Sequence, residues 1–85
     1  MTTPVLICDD SNMARKQCAR SLPDGWPVEV SFAKNGEEGV AAIKEGKAEL
    51  LLLDLNMPVM DGYEVLEAIR AQDLETMVVV ISGDI

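Results

Sequence analysis

Aspartates close two apolar runs of this 85-residue chain, and their placement points to metal and phosphate chemistry. Asp9 and Asp10 follow Val5-Leu6-Ile7-Cys8, Asp54 follows Leu50-Leu51-Leu52-Leu53, and Ser82 follows the run Met77–Ile81. Carboxylates gathered in a partly desolvated cleft repel one another strongly. A hard divalent cation relieves that repulsion. Mg2+ is the natural candidate, because it takes oxygen ligands and keeps several waters. A carboxylate beside Mg2+ can accept a phosphoryl group, since the metal neutralises charge on the transferring oxygens. Ser82 could then hydrogen-bond a phosphate oxygen from the side. The backbone carbonyl of Asn56, in the turn after Asp54, could join the metal shell. In that turn Pro58 fixes φ and Gly62 permits a tight bend into the next helix.

Each of these residues also has a plainer reading. A single aspartate after a strand is usually a turn or capping residue, and for Asp10 alone that reading would win. The pair Asp9-Asp10 taken with Asp54 shifts the balance to a metal site. Ser82 alone reads as a cap, and its place after a fourth apolar run favours the functional role. Asn56 and Asp61 are turn formers by residue type; Asn56 is kept as a backbone ligand and Asp61 as structural. Trp26, between Gly25 and Pro27, reads as a loop aromatic covering an edge, and Glu37, Glu38, Glu64 and Glu67 as solvated helix faces.

Composition narrows the classes. Seven Lys and Arg against fifteen Asp and Glu leave a formal net charge of −8. That balance argues against binding nucleic acid or an anionic membrane surface, while metal cations and basic partners fit it. The chain has no histidine, which removes Ser-His-Asp and Cys-His catalysis. Its two cysteines, Cys8 and Cys18, lack metal-ligand spacing and read as buried thiols. The N-terminal apolar run lacks a basic flank and is too short for a signal peptide or membrane span, so a cytoplasmic location is expected.

Four strands and three helices must position these groups. Val5–Cys8, Leu50–Leu53 and Met77–Ile81 are continuously apolar, as in parallel strands covered on both faces. Val28–Phe32 alternates apolar and polar, as expected of an edge strand with one buried face. Ser11 can cap a helix in which Ala14, Cys18 and Leu22 share one face, stopped by Pro23, Gly25 and Pro27. Asn35 followed three residues later by Glu38 signals a second helix, with Val40 and Ile43 inward and Gly46 at its exit. A third starts near Gly62, with Val65, Leu66 and Ile69 inward. The order β-α-β-α-β-α-β makes residues 1–85 a single α/β domain with a doubly wound parallel sheet. Ligands of such a sheet sit at the carboxyl ends of its strands, where the strand order reverses. If that order is 2-1-3-4, strands one and three are neighbours and the three carboxylates converge.

At these residues the chain resembles the receiver domains of bacterial two-component response regulators. The acidic pair after strand one, Asp54 with Asn-Met-Pro-x-Met-Asp-Gly following, and Ser-Gly after strand four carry the resemblance, which extends from Val5 to Ile85. It implies a flavodoxin-like fold and Asp54 as acceptor of a phosphoryl group from a sensor histidine kinase or phosphotransfer protein. It implies Asp9, Asp10, Asp54 and the Asn56 carbonyl as Mg2+ ligands and Ser82 as the switch hydroxyl. The role is that of a phosphoacceptor signalling domain, outside the enzyme classes. The departure from the family is at the end: receivers continue through a further helix, strand and helix that carry a phosphoryl-pairing lysine and an aromatic switch residue. This sequence is therefore expected to be a receiver truncated after its fourth strand.

Two rival chemistries are weaker. An aspartyl-phosphate hydrolase of the haloacid-dehalogenase type wants an acid two positions after its nucleophile, where Asn56 stands. A flavin-binding module needs a phosphate loop after strand one, where Asp9 and Asp10 would repel the phosphate. The remaining alternative is a receiver that takes no phosphate and acts as a dimerisation or interaction module. An uncovered fourth strand would expose apolar side chains and unpaired backbone groups, so self-association through that edge is expected.

Overall fold

A computed structural model describes residues 2–57 and 60–81. The elements are β1 (Thr3–Cys8), α1 (Asn12–Ser21), β2 (Val28–Ala33), α2 (Gly36–Lys44), β3 (Leu50–Leu53), α3 (Gly62–Ala71) and β4 (Met77–Val80). All strand pairs are parallel, in the order β2-β1-β3-β4. The expected doubly wound sheet is therefore present. Its β1 starts two residues earlier than the apolar run suggests, because Thr3 donates to Pro27 O at 2.9 Å and anchors the strand beside β2.

The registers sort the side chains onto two faces. Val5 lies opposite Val30 and Leu50, and Cys8 opposite Ala33 and Leu53. Val5, Ile7 and Leu52 pack with Cys18 and Ala19 of α1 and with Leu22, which caps its C-terminus. Leu6, Cys8, Leu51 and Leu53 pack on the opposite face with Val40 and Ile43 of α2 and Val65 of α3. Helices on both faces explain why Val5–Cys8 of β1 and all of β3 are apolar. They also follow from right-handed crossovers: α1 leads outward to β2, and α2 returns over β1 to β3 on the other face. The reversal falls between β1 and β3.

Local chemistry fixes each helix start. Ser11 caps α1, its Oγ accepting the Ala14 N–H at 3.2 Å. Asn35 caps α2 by accepting the Glu38 N–H at 2.9 Å, and Glu38 returns the contact by accepting the Lys34 N–H at 3.1 Å. Gly46 ends that helix at φ 81°, a left-handed conformation that glycine adopts without strain. Asp61, read from sequence as a turn former, caps α3 in a reciprocal box with Glu64.

Two expectations are corrected. Phe32, assigned by alternation to the buried face of β2, is 50% exposed, because β2 is the outer strand and only its inner neighbour β1 flanks it. Cys18 is half-buried, since it sits at the margin of the α1 face, whereas Cys8 is fully buried. At the other edge, Met77, Val79 and Val80 of β4 are exposed. No helix among the described residues is long and apolar enough to cross a membrane.

Candidate functional site

The β1–β3 ladder continues past both strands and sets the site. Asp54 N–H donates to Cys8 O at 2.9 Å, and Asp9 N–H donates to Ala33 O at 3.0 Å. The first bond carries the β1–β3 ladder one residue further and sets Asp54 beside Asp9 at the switch point, while the second ties Asp9 to β2 on its other side. One carboxylate oxygen from each of Asp9, Asp10 and Asp54 lies within 4.8 Å of the other two. The sequence therefore identified the three residues that the fold brings together.

Each carboxylate occupies a different environment. Asp9 is buried at 7% exposure, Asp54 is half-buried and Asp10 is exposed. Asp9 accepts the Ser11 N–H at 2.9 Å, and Asp54 accepts the Asn56 N–H at 3.1 Å. Burial pushes the Asp9 carboxyl above the usual range, and the charges of Asp54 and Asp10 push it the same way, against the pull of the Ser11 N–H. A divalent cation would relieve the mutual repulsion in such a cluster. Octahedral Mg2+ with oxygens at about 2.1 Å separates cis ligands by about 3 Å and trans ligands by about 4.2 Å, so closing the cluster by no more than about 2 Å would seat the ion. The donor set, all hard oxygens, fits that ion and disfavours soft metals.

Beneath the carboxylates the packing is tight. The Cys8 thiol lies 3.4 Å from Asn35 O and 3.6 Å from Met57 Sδ. Burial pushes that thiol up to about 12, with the charges of Asp9, Asp54 and Glu38 adding to the effect. It stays protonated at neutral pH and offers no nucleophile. The loop after Asp54 is held by Gly62, whose N–H donates to Leu55 O at 3.1 Å. A Cβ at Gly62 would stand 2.6 Å from both Asp54 O and Leu55 Cα. Gly36 N–H donates to Met60 O at 3.0 Å and ties the same loop to α2. Asn56 is exposed beside Asp54, and Ser82 and Pro58 lie outside the described residues.

One residue at this centre was not singled out from sequence. Arg15, on the first turns of α1, donates through Nη1 to Asp9 O at 2.7 Å and through Nη2 to Asn12 Oδ1 at 3.3 Å. Nothing in its spacing signals this, because its partner is a backbone carbonyl.

Comparison with known proteins decides the family. The sequence model of the response regulator receiver domain matches residues 5–85. The chain belongs to the response regulator receiver domain family. The receiver is 50% identical over 80 residues to a probable C4-dicarboxylate response regulator, DctR, of Bacillus subtilis (strain 168), covering 93% of this chain and 35% of that protein. Among solved structures it superposes on the signal receiver domain of the putative response regulator NarL from Mycobacterium tuberculosis with a TM-score of 0.87. There the identity is 33%, over 99% of this chain and 68% of that one. It also resembles the receiver domain of Ssk1 from Saccharomyces cerevisiae, solved in complex with the histidine phosphotransfer protein Ypd1, with a TM-score of 0.77 and 27% identity over 93% of this chain and 62% of the other. The receiver spans between about a fifth and two fifths of the curated relatives it matches, for example 22% of a Bacillus licheniformis protein-glutamate methylesterase/protein-glutamine glutaminase.

Proposed function

We propose that this receiver unit, residues 1–85, acts in the cytoplasm and takes a phosphoryl group on Asp54 from the phosphohistidine of a sensor histidine kinase or phosphotransfer protein. The observation that carries the proposal is the convergence of Asp9, Asp10 and Asp54 where the sheet order reverses. Asp9, Asp10, Asp54 and the Asn56 carbonyl would hold Mg2+, which supplies neutralisation of the charge on the transferring phosphoryl oxygens. An Asp54 carboxylate oxygen forms a bond to phosphorus while the bond from phosphorus to the donor imidazole nitrogen breaks. The electron pair leaves with that nitrogen, and the product is an acyl phosphate. The Asn56 N–H, already bonded to Asp54 Oδ1, orients the carboxylate for the attack. Ser82 is proposed as the hydroxyl that closes on the phosphoryl group.

The test is chemical. Incubation of the chain with a small acyl phosphate donor and Mg2+ should add the mass of one phosphoryl group. That gain should vanish in Asp54→Asn and on chelation of the metal. A gain that persists in Asp54→Asn would falsify the assignment.

A second reading, pairing between copies without phosphate, is favoured by one observation. The outer strand β4 presents Met77 at 69% exposure, together with Val79 and Val80. Paired strands would bury these side chains and satisfy the edge. Light scattering behind size exclusion should then give a mass that rises with concentration, and a monomer at micromolar concentration would dismiss this reading.

A further inference from the structure

Among the described residues, Arg15 is the one cationic side chain hydrogen-bonded to the acidic centre. What it holds is a peptide group, not a carboxylate. Asp9 N–H continues the ladder to Ala33 O, and the Asp9 side chain accepts the Ser11 N–H. The Asp9 carbonyl lies past the end of β1, and among the described residues no backbone N–H donates to it. The guanidinium fills that vacancy at 2.7 Å and braces itself on Asn12 Oδ1 at 3.3 Å.

We propose that Arg15 is a positioning residue for the acidic centre, holding the Asp9–Asp10 peptide plane so that both side chains converge on Asp54. The inference rests on the reading of that centre as a divalent-cation site. The Asp9 carbonyl belongs to the peptide that joins it to Asp10. Losing the hold on this plane frees ψ of Asp9, and any change there that φ of Asp10 does not offset swings the Asp10 carboxylate out of the cluster. Asp10 is exposed, so packing does little to resist the swing. A planar guanidinium can meet two oxygens in fixed geometry, whereas a lysine ammonium acts as a single point charge. Charge and geometry predict opposite signs here. A positive charge beside a cation site lowers cation affinity, while a brace that keeps the ligands convergent raises it.

That opposition makes the test decisive. Mn2+ replaces Mg2+ as a spectroscopic probe, and its affinity for the full chain is measured by electron paramagnetic resonance. Wild type, Arg15→Lys, Arg15→Gln and Asp54→Asn are compared well below their melting temperatures, with circular dichroism confirming the fold. Arg15→Gln should weaken Mn2+ about tenfold, the low end for a residue that orients a metal ligand. Arg15→Lys should stay weaker than wild type although its charge is intact, and it carries the test should Arg15→Gln not fold. Unchanged or tighter binding in Arg15→Gln, or full affinity in Arg15→Lys, overturns the proposal for Arg15 alone. Absence of Mn2+ binding by wild type, or binding untouched by Asp54→Asn, overturns the metal centre itself and Arg15 with it.

Discussion

At the scale of residues, the energetics of the site turn on three carboxylates that share one small volume. Two unit charges at 4 Å repel by about 1 kcal/mol in bulk water and about 4 kcal/mol near a protein surface. Asp10 is exposed and Asp54 half-buried, so the low end applies. Asp54→Asn should therefore stabilise the metal-free chain at neutral pH by about 1 kcal/mol, or about 4–8 °C in melting temperature for a domain of this size. The same variant should lose the stabilisation that Mg2+ gives wild type, as thermal melts with and without the ion would reveal. The pH dependence follows from Asp9, whose carboxyl is raised in the folded chain. The folded state keeps that proton to higher pH than the unfolded state does. Its contribution is fully present below the ordinary carboxylate pKa and is lost as pH rises through the folded value. In metal-free buffer the melting temperature should fall as pH rises from the ordinary carboxylate range through the raised folded value of Asp9, and Asp9→Asn should flatten that fall. A slope unchanged in Asp9→Asn would contradict the assignment. Asp9, Asp10 and Asp54 were legible because acidic residues directly after apolar strands are conspicuous. Arg15 was not, because its role depends on a carbonyl left without a backbone donor, which only coordinates reveal.

At the scale of elements, the start of α3 separates stability from chemistry. Asp61 accepts the Glu64 N–H at 2.9 Å, and the Asp61 N–H donates to Glu64 Oε1 at 3.2 Å. Asp61→Ala should cost about 1 kcal/mol in denaturant unfolding and leave phosphoryl acceptance intact once the protein is folded. Gly62 is one residue further along, and the expectation differs. Its missing Cβ leaves room for the backbone of Asp54 and Leu55, so Gly62→Ala should cost about 1–3 kcal/mol and slow phosphorylation of Asp54 as well. Equal phosphorylation rates in the two variants would mean that the loop does not position Asp54. The capping box is spelled out as Asp-x-x-Glu, but its signal is weak because Asp61 falls in a turn-rich segment where aspartate is common. The α1 and α2 caps stood out because Ser11 and Asn35 directly precede periodic apolar positions. Phe32 departs from its alternation pattern for a different reason. Alternation reports which side of a strand a residue occupies, but not whether a helix covers that side so close to the sheet's edge.

At the scale of the whole molecule, strand order was legible because continuous apolar strands demand cover on both faces, and right-handed crossovers then leave few arrangements. The order β2-β1-β3-β4 places the acidic pair and Asp54 on adjacent strand ends, so topology and chemistry support one another. What covers the exposed β4 residues is a property of surfaces, and composition carries no signal for it. The most direct measurement on the central claim is to locate the modified residue. The chain is treated with an acyl phosphate donor and Mg2+, the product is reduced with borohydride, and its peptides are sequenced by mass spectrometry. The reduction converts an aspartyl phosphate to an alcohol and marks its position. The account predicts one mark, at Asp54, lost when Mg2+ is chelated. A mark at Asp9, Asp10 or elsewhere, or none with the folded chain and saturating Mg2+, would contradict it.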